Sequence, residues 1–130
     1  MTLRESCSLA TDIFNSKMQE FIRDLSDAFP DMQDFKLCKN ALNLAVSFSP
    51  EKPQKIFHIY VAVPYETEII EKDEGFFLAH DFREVLMDGD FDIVDRIRSV
   101  WHRMSEDNKF IVWKYMQVLL LLDKKMCHCD

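Results

Sequence analysis

The chain has 130 residues, 48% apolar and 30% charged, with a formal net charge of −7, a composition suited to one globular domain with a sizeable core. Only two glycines occur, Gly75 and Gly89. This excludes the clustered glycines of phosphate-binding loops and nucleophile elbows, and with them the common nucleotide-dependent enzymes.

The first predicted helix covers residues 8–29. Phe14, Met18, Phe21, Ile22, Leu25, Ala28 and Phe29 fall within one arc, and Asp12, Glu20, Arg23, Asp24 and Asp27 fall opposite. Pro30 ends it, because the residue before a proline is pushed out of the helical region. Asp31 or Asp34 can cap a second helix running to about Phe48, with Phe35, Cys38, Leu42, Ala45 and Val46 inward. Ser49-Pro50 breaks the chain, and Pro53 suits the first turn of the next element. The stretch 56–63 (IFHIYVAV) is rich in β-branched and aromatic residues, as strands are. With no convincing second strand to pair with it, its backbone groups would go unsatisfied. A helix is the better reading, kinked or ended at Pro64.

A short helix from Tyr65 to about Lys72 should break at Gly75, with Phe76, Phe77 and Leu78 tucked into the core as an anchor. Residues 79–91 read as a helical turn and then a loop at Asp88-Gly89-Asp90. The next helix places Ile93, Val94, Ile97, Val100, Trp101 and Met104 on one face. Ser105 caps the last helix, 106–125. Eleven of the thirteen residues from Phe110 to Leu122 are apolar. Asp107, Lys114, Gln117, Lys124 and Lys125 share one narrow polar strip. A helix apolar on most sides must be wrapped by other elements. The expected fold is therefore all-α: a single-domain bundle of five to seven helices around a buried C-terminal helix. Residues 1–7 and 126–130 are expected to be frayed tails.

The apolar run at 110–122 is shorter than the roughly 20 residues of a membrane span and carries a lysine, so no membrane contact is expected. The N-terminus lacks the apolar core of a secretory signal. With two of the four cysteines (Cys7, Cys38, Cys127, Cys129) in the last four residues, reduced thiols in a cytoplasmic or nuclear setting are expected.

Two segments carry a resemblance. One is Ile69-Ile70-Glu71-Lys72-Asp73-Glu74-Gly75-Phe76-Phe77. The other is Trp101 followed by Ser105, Asn108, Lys109 and Val112-Trp113-Lys114-Tyr115-Met116-Gln117-Val118-Leu119. Over residues 15–125 the chain resembles a group of uncharacterised small helical proteins encoded by large DNA viruses of algae and amoebae. The resemblance implies a viral protein acting in host cytoplasm or packaged in the virion, and it carries over no catalytic residues.

Candidate chemistry is sparse. Cys127-His128-Cys129 offers two thiolates and an imidazole, but a C-x-C pair strains both sulfurs around one zinc ion. Asp88, Asp90 and Asp92 open like a calcium loop, yet Ile93 stands where glycine is needed and Ser99 where a bidentate glutamate is needed. Glu68 and Glu71 share a helical face without the Glu-x-x-His partner of carboxylate-bridged metal sites. Cys38 lies on an inward face, where a thiol is inert. His58 and His102 read as surface or boundary residues.

Trp101, Trp113 and Tyr115 could stack bases beside Arg96, Arg98, Arg103, Lys109 and Lys114. Their faces are the most apolar of the chain, so core packing is expected and nucleic acid is not the expected partner. Charge supplies the remaining clue. Residues 66–95 hold eleven acids and two bases, a balance of −9, while the rest of the chain is at +2. Such a segment repels nucleic acid and suits a basic partner. The expected function is non-enzymatic and without cofactor: a protein-interaction or assembly module, with Glu66, Glu68, Glu71, Asp73 and Glu74 as the contact and a homo-oligomer as one form. The rivals are a virion structural or scaffolding component and a nucleic-acid-binding transcription accessory factor.

Overall fold

The computed structural model describes residues 2–80, 93–126 and 129. Among these residues the fold is all-α, and no helix is long and apolar enough to cross a membrane. Helix α1 spans Leu3–Ala28 and begins earlier than its apolar face suggested. Thr2 caps it, its hydroxyl accepting from the Glu5 N–H at 3.1 Å, in a Thr-x-x-Glu arrangement typical of helix starts. Helix α2, Gln33–Phe48, follows Pro30 with Met32 at its N-cap, so neither Asp31 nor Asp34 serves as the cap.

The 56–63 stretch is helical. Helix α3 (Lys52–Phe57) runs into a π-helical segment (His58–Ala62) and then into α4 (Val63–Glu71). The wider register has a local cause. Pro64 has no N–H to donate and its ring crowds the carbonyl four residues back. Just before it, the Val63 N–H reaches the His58 carbonyl, five residues back. Tyr65 then departs from helical geometry (φ −126°, ψ 19°), which is the kink expected at Pro64. Helix α4 ends at about Lys72, as expected, with Lys72 itself in the left-handed conformation (φ 53°), so the break precedes Gly75. Gly75 lies instead in the first turn of α5, Glu74–Ala79, capped by Asp73. Helix α6, Ile93–Val100, passes through a 3₁₀ turn at Trp101–Arg103. Ser105 accepts from the Asn108 N–H at 3.1 Å and starts α7, Glu106–Lys125. The loop expected at Asp88-Gly89-Asp90 lies outside the described residues.

Helix α1 packs against both α2 and α7, α4 packs against α7, and α2 against α6. Phe14, Phe35, Val100 and Leu119 are the most deeply buried apolar groups. Phe14 meets Phe57 edge to face at 5.5 Å, and Phe21 stacks on Tyr115 at 4.9 Å, which joins α1 to the α3 and α7 layers.

Three expectations are corrected. The C-terminal helix is not wrapped on all sides: it buries Val112, Leu119, Leu120 and Asp123, whereas Phe110, Ile111 and Leu121 are exposed. Its partners α1, α4 and the π segment, with Phe77 and Trp101 against Trp113, leave the Phe110 and Leu121 ridge exposed among the described residues. Nor are both ends frayed, since Leu3–Cys7 are helical and Met126 is buried. Finally, Cys7 and Cys129 are not reduced thiols but a disulfide. The packing of α1 on α7 brings their Cα atoms to 5.7 Å, inside the range a disulfide spans. Cys38 is a free thiol.

Candidate functional site

Among the described acids of the 66–95 segment, two meet a cation of the chain and one caps a helix. Glu66 pairs with Lys124. Glu74 accepts from the Trp101 indole N–H at 2.9 Å and lies 3.7 Å from the Lys109 ammonium. Asp73 is occupied as the α5 cap, accepting from the Phe76 N–H at 3.0 Å. Of the five residues expected to form a contact, Glu68 and Glu71 alone have no ion pair or hydrogen bond among the described residues.

The Glu66–Lys124 pair helps hold α4 against α7. Nearby, the Gln117 amide donates to the carbonyls of Ile69 and Ile70, each at 3.2 Å. The Lys72 ammonium sits 4.8 Å from the centre of the Phe110 ring. The seam therefore leaves large apolar side chains facing outward from both helices: Val63 (65% exposed) and Ile70 (54%) on α4, Phe110 (54%) and Leu121 (60%) on α7. Phe110, Lys114, Gln117 and Leu121 follow one ridge of α7 at i, i+4, i+7 and i+11. Exposed apolar side chains at the junction of two helices, interleaved with Lys114, Gln117 and the Glu66–Lys124 pair, are the kind of surface that can mark a protein contact.

On the opposite side of α7, Asp123 is buried (2% exposed). Its Oδ1 accepts from the Gln54 amide at 2.7 Å, and its Oδ2 lies 2.8 Å from His58 Nδ1. A buried carboxylate must be met by donors or it costs several kcal/mol, and α3 and the π segment supply them. His58 is thus more than a surface residue. The sequence held a signal for this: Asp123 falls across the α7 wheel from the Lys114 strip, among the apolar residues. A histidine paired with a carboxylate is also how a general base is held. In this structure the pair pins α3 and the π segment to α7. Asn15 acts similarly, its amide donating to the Pro50 carbonyl at 2.8 Å across the α2–α3 turn.

A cavity of about 240 Å³ lies among α1, α2, the α3–α4 segment and α7. It is bordered by Met18, Leu42, Ala45, Ile56, Tyr60, Trp101, Trp113 and Leu119, among others. Cys38 is on its wall, where burial pushes the thiol above its ordinary range.

The remaining candidates resolve into structure. Trp101 and Trp113 meet edge to face at 6.0 Å, and Phe77 packs on both, so these rings are a core cluster rather than a stacking platform. The anchor reading of Phe77 holds, while Leu78 is exposed. Arg96 pairs with Asp34 at 3.2 Å. Arg103 grips Asp31 with both terminal nitrogens at 3.2 and 3.3 Å, and this hydrogen bonding holds the Asp31 carboxyl below the usual range. Arg98 donates to the Leu78 and His80 carbonyls, and Lys109 is held by Glu74 and Glu106. Of the five basic residues named with these rings, Arg96, Arg98, Arg103 and Lys109 are thus engaged within the chain.

Cys129 is spent in its disulfide and is not a thiolate ligand, which corrects its candidacy for zinc. Cys127, His128 and the calcium-like run Asp88–Asp92 lie outside the described residues. Among the described residues no three His, Cys, Asp or Glu side chains are grouped to hold a metal ion. Comparison with protein-family models, curated proteins and solved structures finds no match for this chain.

Proposed function

We propose that the protein is a non-enzymatic protein-interaction module whose contact surface is the α4–α7 face. The observation that carries this reading is the outward exposure of Val63, Ile70, Phe110 and Leu121 from two helices fastened together by Glu66–Lys124 and Gln117. Leaving four such side chains in water forgoes roughly 1.5–3 kcal/mol of burial each, which a partner recovers on binding. Glu71 borders Ile70 in the chain, so the acidic contact expected from sequence contracts to Glu71 at the edge of this face, while Glu68 borders the cavity instead. The partner is a protein with an apolar ridge and a basic group placed for the Glu71 carboxylate.

A second reading, a virion structural or scaffolding component, rests on the resemblance to proteins of large DNA viruses, and there the same face joins copies of the chain. The expectation of a cytoplasmic or nuclear site loses its basis in reduced thiols, and the Cys7–Cys129 bond favours an oxidising compartment.

The test is a variant carrying Ile70→Asp, Phe110→Asp and Leu121→Asp, all at exposed positions. Loss of partner capture, or of self-association by native mass, with an unchanged helical circular dichroism spectrum supports the reading. Retention of both overturns it.

A further inference from the structure

We propose that the apolar cavity binds a single-chain aliphatic monocarboxylate, tail inward, with the Lys52 ammonium as counter-ion to the carboxylate. The inference is independent of the α4–α7 surface.

The shape of the cavity selects a chain. Residues of the α3–α4 segment border it at every fourth position, Pro53, Phe57, Val61, Tyr65 and Ile69, so one side of that segment lines it over most of its length. A cavity of 150 Å³ takes a single benzene ring. At about 240 Å³ and drawn out along a helix, this one suits a chain better than a disc. Its surface is almost wholly apolar, so a polar occupant would lose its hydration without replacement.

Charge fixes the orientation. Lys52 stands at the α3 start, exposed and without an ion pair among the described residues. Toward the other end the bordering charges are Glu68 and Asp73. A carboxylate is drawn to the first and repelled by the others, which places the head at Lys52 and directs the tail toward Trp101.

The experiment titrates the full chain, disulfide intact, with decanoate and separately with decanol, both below their aggregation thresholds, while tryptophan emission is followed. Trp101 and Trp113 line the cavity and report occupancy. Saturable binding of both at one per chain is expected. Lys52→Glu should weaken decanoate about tenfold, the order of one charge-assisted contact, and leave decanol unchanged. Ala45→Phe should fill the cavity and abolish both. If Ala45→Phe loses helical content, decanoate brominated at the tail tip serves instead: quenching of tryptophan emission supports the assignment and its absence overturns it. Failure of both ligands to saturate the native protein overturns the site. Equal weakening of both ligands by Lys52→Glu, or decanol binding without decanoate binding, overturns the head-group assignment.

Discussion

His58 and Asp123 lie 65 residues apart in sequence, yet His58 Nδ1 and Asp123 Oδ2 are 2.8 Å apart, joining the π segment to the last turns of α7. The carboxylate also receives the Gln54 amide. Asp123→Ala should cost about 2–4 kcal/mol in urea denaturation, because it strands a buried amide and removes the histidine's partner. Asp123→Asn keeps one acceptor and the shape, and should cost about 1 kcal/mol. Equal and negligible losses for both would show that the cluster does not hold the fold.

Tyr115 offers a pH test. Desolvation first, and then its hydrogen bond to Asp24, push its phenol from 10 up to about 12. The folded state therefore keeps the proton longer than the unfolded state. The resulting stability is complete below pH 10 and is lost as pH rises toward 12. Absorbance at 295 nm should show a tyrosine ionising near 12, and Asp24→Asn should move that phase down only part of the way, since desolvation remains.

Cys38 should be a poor nucleophile in the native protein. Its thiol is raised above the ordinary range by burial, so less thiolate is present at pH 8 than in an unfolded chain. Carbamidomethylation of Cys38, read by peptide mapping, should be at least about tenfold slower in buffer than in denaturant. A rate matching the denatured chain would place the residue outside the packed wall.

The Cys7–Cys129 disulfide closes a loop with a sequence separation of 122. By loop-closure entropy, removing it with Cys7→Ser should lower stability by about 4–5 kcal/mol. The urea midpoint should fall while the helical spectrum of the native state persists. A midpoint unchanged by the substitution would mean that the bond does not form in the purified protein.

Much of the architecture was legible in the chain. Pro30, Ser49-Pro50 and Ser105 mark real helix boundaries, and the missing second strand correctly turned 56–63 into helix. Local signals sufficed there because capping and proline chemistry act over a few residues. The start of α1 was also available in Thr2 and Glu5, but it carried no apolar periodicity to draw notice. Long-range consequences were not legible. The apolar run of α7 announced that much of its surface wants burial, but which side α1 and α4 would leave uncovered depends on their docking. The antiparallel approach that brings residue 7 beside residue 129 has no local trace. The pairing of Glu66 and Glu74 was equally hidden, because charge is counted along the chain, whereas Lys124 and Lys109 reach them through space.

With Cys7 bonded to Cys129, the polypeptide is a near-complete covalent ring. A protease cut in the turn at residues 49–51 would thus leave one molecule under non-reducing conditions, heavier only by the water of hydrolysis, its halves parting only after a thiol is added.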